Sequence, residues 1–445
     1  MKKLIIIASF SLILLSCPED GSDFDSGKKS FYAIDHSGST SKYYQVEARL
    51  LAQNNLCEIW VETGCGVTAS TAQNIANRYK DVIYDKMTAA FGWDDQGRNV
   101  MQWADYYGDR NGKLTIFLLD IKDNYIKDIN NSYIAGYFSY YDLLRVSGSN
   151  VCDMIYMDTN PAKVGSNDFY ETLVHEMQHL MNDVTSRHFR NGNKMDTWID
   201  EGLSEAATWI YSEKHNSGRL NWYIYNEEYN GLIKNGNNFF VWNNRTNNNP
   251  SAVLDDYATV YLFFQWLRIQ YGNAEIYRNI LKSEYTGYKA VVDAIGYSDW
   301  DSLLKTWLAA NFIRSSTGEF GYKGDKTLNN ITRHYAPVNI GDTITLYPGE
   351  GVYSSNISSE PVTGEENIKY AYISTTTVLS SFTPGSTLLT YNNNTDNKNG
   401  KGESGTITGI APPASVNISS RSLQPSFSGP HKIGAGDISG LGRNE

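Results

Sequence analysis

Basic charge, cysteine and long apolar runs are all in short supply in this chain, and each shortage closes off a class of function. Thirty-eight Lys and Arg face 49 Asp and Glu, for a formal charge of -11. Duplex binding takes most of its affinity from Lys and Arg neutralising phosphates, and no basic patch interrupts the acidic balance, so no nucleic-acid partner is expected. The four cysteines show no CxxC or Cys/His spacing, which leaves a structural zinc finger unsupported. Outside the amino terminus no apolar run approaches the ~20 residues of a bilayer span. Collagen-like and wholly disordered chains are excluded by 41% hydrophobic residues with only 37 Gly and 11 Pro. What the chain has in plenty is aromatic surface, with 32 Tyr and 10 Trp among 445 residues. Its length suggests two or three domains with a real core.

The amino terminus reads as an export signal. Two lysines precede the largely apolar Leu4–Leu15, too short for a permanent transmembrane helix. The run ends in Leu14-Leu15-Ser16-Cys17, which resembles a bacterial lipobox. Residues 1–16 are therefore expected to be a lipoprotein signal and Cys17 the lipidated first residue, anchoring an exported protein at the cell envelope by lipid alone. Residues 17–29 are acidic and Gly/Ser-rich, as a tether should be. In an oxidising compartment Cys57 and Cys65 are the expected disulfide pair, with Cys152 left single.

From residue 30 to 183 strand-like segments (Ser30–Ile34, Cys57–Glu62, Leu114–Ile121, Ile134–Tyr141, Val151–Met157) surround a helix at Ser70–Phe91 and lead into a second helix, for which Asp168 and Glu171 offer a capping box. Asp109-Arg110-Asn111-Gly112 reads as a tight turn; the twelve-residue spacing of a calcium loop is missing. Residues 184–316 are predominantly helical. From 317 to 445 the composition changes: 67 of the 128 residues from Gly318 onward are Gly, Ser, Thr, Asn or Pro, and helical periodicity disappears. Short strand candidates there predict a β-like module with a loose tail.

The chemistry is concentrated in His175-Glu176-Met177-Gln178-His179. On a helix, positions four apart leave the same face one turn above each other, so both imidazoles can share one Zn2+. Glu176 is one step round, where its carboxylate can reach a water without occupying a coordination site. Nineteen residues on, Trp198-Ile199-Asp200-Glu201-Gly202-Leu203-Ser204-Glu205 opens another helix. A catalytic zinc usually takes three protein ligands, and Glu201 is the expected third. Glu205, one turn further, is placed to accept the second ring proton of a ligand histidine; a solvated surface glutamate is the competing reading.

The metzincin extension would require Gly and His where Asn182 and Thr185 stand, and no HxxEH occurs. The chain resembles the gluzincin group instead, and within it the hyicolysin-type bacterial neutral zinc metallopeptidases. The likeness rests on HEMQHLMN (His175–Asn182), WIDEGLSEAA (Trp198–Ala207), NGKLTIFLLDI (Asn111–Ile121) and AGYFSYYDLL (Ala135–Leu144), within residues 90–315. It implies an α+β, zincin-like catalytic domain, a mixed sheet plus active-site helix followed by a helical subdomain. It also implies His175, His179 and Glu201 as zinc ligands, Glu176 as the catalytic glutamate, and protein or peptide substrates. The GxMEN segment of aminopeptidase-type gluzincins is missing, which favours an endopeptidase. By analogy with other gluzincins Tyr257 is a candidate donor to the oxyanion; a packed core tyrosine competes with it. Substrate is expected to pair along the sheet edge at Ala135–Tyr141. The alternative function is a catalytically inactive surface binding protein, an adhesin on a zincin scaffold.

Overall fold

The computed structural model describes residues 27–38, 42–130, 133–224, 253–331, 345–346, 348–355, 357, 360–361, 366–395 and 405–406. The leader 1–16, Cys17, most of the tether and the tail beyond 406 lie outside them. None of the described helices is long and apolar enough to cross a membrane.

A six-stranded mixed sheet organises the first half. Strands β1 (Lys28–Asp35), β2 (Lys42–Gln53) and β3 (Cys57–Glu62) form an antiparallel meander. Helix α1 (Ala69–Arg78) covers it and continues through a π-helical turn into α2 (Tyr84–Phe91), which stops at Gly92. A short hairpin, β4 (Asp94–Asp95) and β5 (Arg98–Asn99), leads into α3 (Val100–Tyr107), which Asn99 and Gln102 start with a capping box. Then come β6 (Leu114–Leu119), β7 (Gly136–Phe138) and β8 (Met154–Asp158). The strand order is β1-β2-β3-β6-β8-β7, with β3, β6 and β8 parallel and β7 antiparallel at the edge.

Every residue of LTIFLL in β6 is buried because both faces of the sheet are covered. Ile116 and Leu118 face the helices, while Phe117 and Leu119 join Phe31, Trp60, Tyr137 and Tyr156 on the other side. There the sheet is sealed by its own rings: Phe31 stands edge-on to Trp60 at 5.3 Å and Tyr137 stacks on Tyr156 at 4.1 Å.

The helical half begins with α4 (Asn167–Phe189), α5 (Thr197–Ser212) and α6 (Ser217–Tyr223), and continues through α7 (Val253–Tyr271), α8 (Glu275–Leu281), α9 (Tyr288–Ile295) and α10 (Trp300–Ile313). The cap of α4 is Ser166, whose hydroxyl accepts from the Phe169 amide at 3.2 Å; Asp168 already sits inside the first turn. Strands β9 (Thr345–Leu346), β10 (Gly351–Ser354), β11 (Ile368–Ile373), β12 (Val378–Leu379), β13 (Thr387–Asn392) and β14 (Gly405–Thr406) make the carboxy-terminal region β-rich. Its four-stranded sheet, ordered β10-β13-β11-β12, is fastened to α10 by Tyr391 and Asn393, both donating to Asp301 Oδ1 at 3.1 and 2.8 Å. The molecule is thus α+β and zincin-like, with a mixed sheet, a buried helix below it and a β-rich end.

One expectation fails. Cys57 and Cys65 are free thiols. Strand β3 carries the chain about 17 Å from Cys57 to Glu62 at ~3.3 Å per residue, whereas a disulfide needs Cα atoms within about 7 Å. Cys57 is instead buried under α1, its sulfur facing the Ala76 carbonyl at 3.9 Å.

Candidate metal centre

Two packed helices build the site. In α4 the apolar positions Leu173, Val174, Met177, Leu180, Met181 and Val184 recur at three- and four-residue spacing, and every residue from Thr172 to Ser186 is buried. Helix α5 crosses it closely, and α7 packs on α5 at Gly202. A Cβ at that glycine would stand 2.3 Å from the Phe264 ring, so the residue beside Glu201 must be small for the helices to meet.

His175 and His179, four apart in α4, bring their Nε2 atoms to 3.2 Å. Glu201 of α5 reaches them with Oε2 at 3.4 and 3.5 Å. The three donors form a nearly equilateral triangle. Three corners of a tetrahedron around zinc, with bonds of about 2.0–2.1 Å, are separated by about 3.3–3.4 Å, so the residues fit that ion. Glu201 is fully buried, and neither of its oxygens has a hydrogen-bond partner among the described residues. A buried carboxylate in that state is costly unless a cation meets it.

Carboxylates behind the rings orient them. His179 Nδ1 lies 3.0 Å from Asp200 Oδ1, which also accepts from Asn182 Nδ2 at 2.5 Å. His175 Nδ1 faces Glu205 Oε1 at 3.6 Å. Both Nδ1 atoms thus turn toward acid and both Nε2 atoms toward Glu201, the arrangement that fixes a ligand tautomer. Burial pulls the His179 imidazole down, but Asp200 and Glu201 outweigh it and hold its pKa well above the usual value. Burial pushes Glu201 up, and the two histidines more than reverse it, so its carboxyl titrates below the ordinary range.

Glu205 is 1% exposed, which removes the surface-glutamate reading. Arg219 of α6 grips it in a fork, Nε to Oε2 at 2.9 Å and Nη2 to Oε1 at 2.6 Å. Tyr257, fully buried in α7, joins the same cluster: its ring centre is 6.4 Å from that of His175, and the Arg219 guanidinium lies over it at 4.5 Å. Glu176 is fully buried, with no hydrogen-bond partner for either oxygen among the described residues. Burial raises its pKa, against the pull of His175 and His179 and of the nearby Phe138 amide in edge strand β7.

The structure therefore gathers His175, Glu176, His179, Glu201, Glu205 and Tyr257 in one place. Asp200 and Arg219 are additions that the sequence reading missed. Asp200 adjoins Glu201, a signal visible in the sequence; Arg219, fourteen residues beyond Glu205, offers none until α5 and α6 are seen together against α7.

No protein-family model matches the chain. Over 308 residues it is 28% identical to the neutral metalloprotease ShpI of Staphylococcus hyicus, a stretch covering 66% of this chain and 65% of that protein. The chain thus spans slightly less than two thirds of that relative's length. The motif residues and the donor triangle thus lie in a chain that is similar to a neutral metalloprotease.

Proposed function

We propose that the protein is a zinc metalloendopeptidase that hydrolyses peptide bonds of extracellular or envelope proteins. The observation that carries this reading is the donor triangle of His175, His179 and Glu201, with sides of 3.2 to 3.5 Å and a buried, unengaged Glu176 beside it.

His175, His179 and Glu201 would hold one Zn2+, which when bound lowers the pKa of a coordinated water toward ~7 and polarises a carbonyl oxygen. Glu176 takes a proton from the attacking water and returns it to the leaving amine, so that each turnover consumes one water and restores the carboxylate. Its burial suits the task, since a raised pKa brings base and acid forms closer in energy. Glu205 and Asp200 hold the ligand rings in register, and Arg219 keeps Glu205 in place. Tyr257 is the proposed donor to the oxyanion; its position beside His175 supports that role. Edge strand β7, packed against α4, offers backbone groups with which an extended substrate can pair. The leader and lipobox support export, with a lipid on Cys17 as the membrane link and proteins or peptides as partners.

The test is Glu176→Gln. The variant should retain its zinc while casein hydrolysis falls by about 10²–10⁴-fold. Undiminished hydrolysis would refute the role of Glu176, and wild-type protein that holds zinc yet cleaves no unfolded protein would favour the inactive adhesin.

A further inference from the structure

A second group of metal-ligating side chains sits at the other end of β8 from α4. Asp109 follows α3, and Cys152 and Asp153 enter β8; one oxygen of each aspartate and the Cys152 sulfur lie within 4.8 Å of one another. The sulfur is 3.7 Å from Asp109 Oδ2 and 3.2 Å from the Thr115 hydroxyl of β6. Asp153 is 1% exposed, and its Oδ1 has no hydrogen-bond partner among the described residues. That oxygen points toward the chain just before Asp109: a Cβ on Gly108 would stand 2.6 Å from it, so a glycine is required for the approach.

The surroundings supply no positive charge to this oxygen. Neither Asp109 nor Asp153 makes an ion pair among the described residues. Arg145 is close but gives its Nη2 to the Gly108 carbonyl at 2.9 Å. Lys29, over the Phe31 and Trp60 rings at 4.6 and 5.9 Å, acts on Asp109 and Cys152 but not on Asp153. The other charged groups that act on the cluster are Asp105 and Glu58, both acidic. An orphaned carboxylate oxygen among like charges is costly, and a shared cation removes the cost.

We propose that Asp109, Cys152 and Asp153 form a second site, for one divalent cation of the zinc class. A thiolate among the donors selects a borderline metal over calcium or magnesium, which take oxygen ligands. A sulfur and an oxygen bonded to one zinc at about 2.3 and 2.0–2.2 Å stand roughly 3.5 Å apart, near the separation of Cys152 and Asp109. On binding, the metal–sulfur bond forms as the S–H bond breaks and the proton leaves to solvent past the partly exposed Asp109. Thr115 then donates to the thiolate as an outer partner. The ion would tie the turn after α3 to the strands that feed α4, a structural role separate from hydrolysis.

Cobalt distinguishes the two centres, because only this one contains sulfur. Cobalt-loaded wild-type protein should show thiolate-to-metal charge-transfer absorption in the near ultraviolet, and so should the His175→Ala/His179→Ala variant. Cys152→Ala should lose the band, whereas Cys17→Ala and Cys65→Ala should keep it. Asp109→Asn, on a surface turn that should fold whether or not Cys152→Ala does, should weaken cobalt binding by about tenfold or more. A folded wild-type protein without the band, or a band unchanged in Asp109→Asn, would overturn the proposal.

Discussion

Arg219→Met should be among the most damaging single substitutions in the helical half. Arg219 and Glu205 are 7% and 1% exposed and share two hydrogen bonds of 2.9 and 2.6 Å. Methionine fills much of the same volume, so the main loss is electrostatic: Glu205 would stay buried with His175 Nδ1, 3.6 Å away, as its nearest polar neighbour of opposite character. Breaking one half of a buried pair in this way costs about 3–5 kcal/mol, whereas replacing both halves is often nearly neutral. Thermal unfolding should show Tm lowered on the order of 10 °C for Arg219→Met, with most of it recovered in Glu205→Gln/Arg219→Met. A single variant that loses under about 1 kcal/mol, or a double variant as unstable as the single, would refute the reasoning.

Two further expectations concern packing and pH. Gly202→Ala places a methyl 2.3 Å from the Phe264 ring and should cost about 1–3 kcal/mol as overpacking between α5 and α7, seen as a Tm lower by several degrees; an unchanged Tm would mean the helices separate freely. Asp142 is 3% exposed, accepts from Tyr156 Oη at 2.7 Å, and is pushed by burial up to about 6 from 3.8. Because its folded pKa lies above the unfolded one, its favourable contribution is complete below about pH 4 and is lost as pH rises through about 6. The stability difference between wild type and Asp142→Asn should therefore shift by roughly 3 kcal/mol in the variant's favour between pH 4 and 7, and parallel pH profiles would contradict it.

What the sequence revealed depended on how far the physics was local. Strand β3 and helices α4 and α5 are legible from local pattern and motif, α7 from an apolar, aromatic-rich run that is buried on every side from Asp256 to Arg268, and the i, i+4 spacing of His175 and His179 is a property of one helix. Strand β2 is not, since its register shifts between Leu50 and Ala52 and the alternation of Lys42–Gln53 breaks with it. The segment Ile134–Tyr141 reads as one strand, yet only Gly136–Phe138 pairs before the chain turns into a 3₁₀ turn at Tyr140–Leu143. Arg219 was invisible because its partner is chosen by the way α6 and α5 both pack against α7. The Cys57–Cys65 pairing failed for the opposite reason: short spacing suggested closeness where an extended strand enforces distance.

The most direct measurement is the zinc content of purified wild-type protein beside Glu201→Ala, with casein hydrolysis followed in the same samples. One equivalent of zinc should be lost on removing that carboxylate, and hydrolysis with it, whatever any second site retains. Equal zinc in the two proteins, with hydrolysis intact, would contradict a centre built from His175, His179 and Glu201.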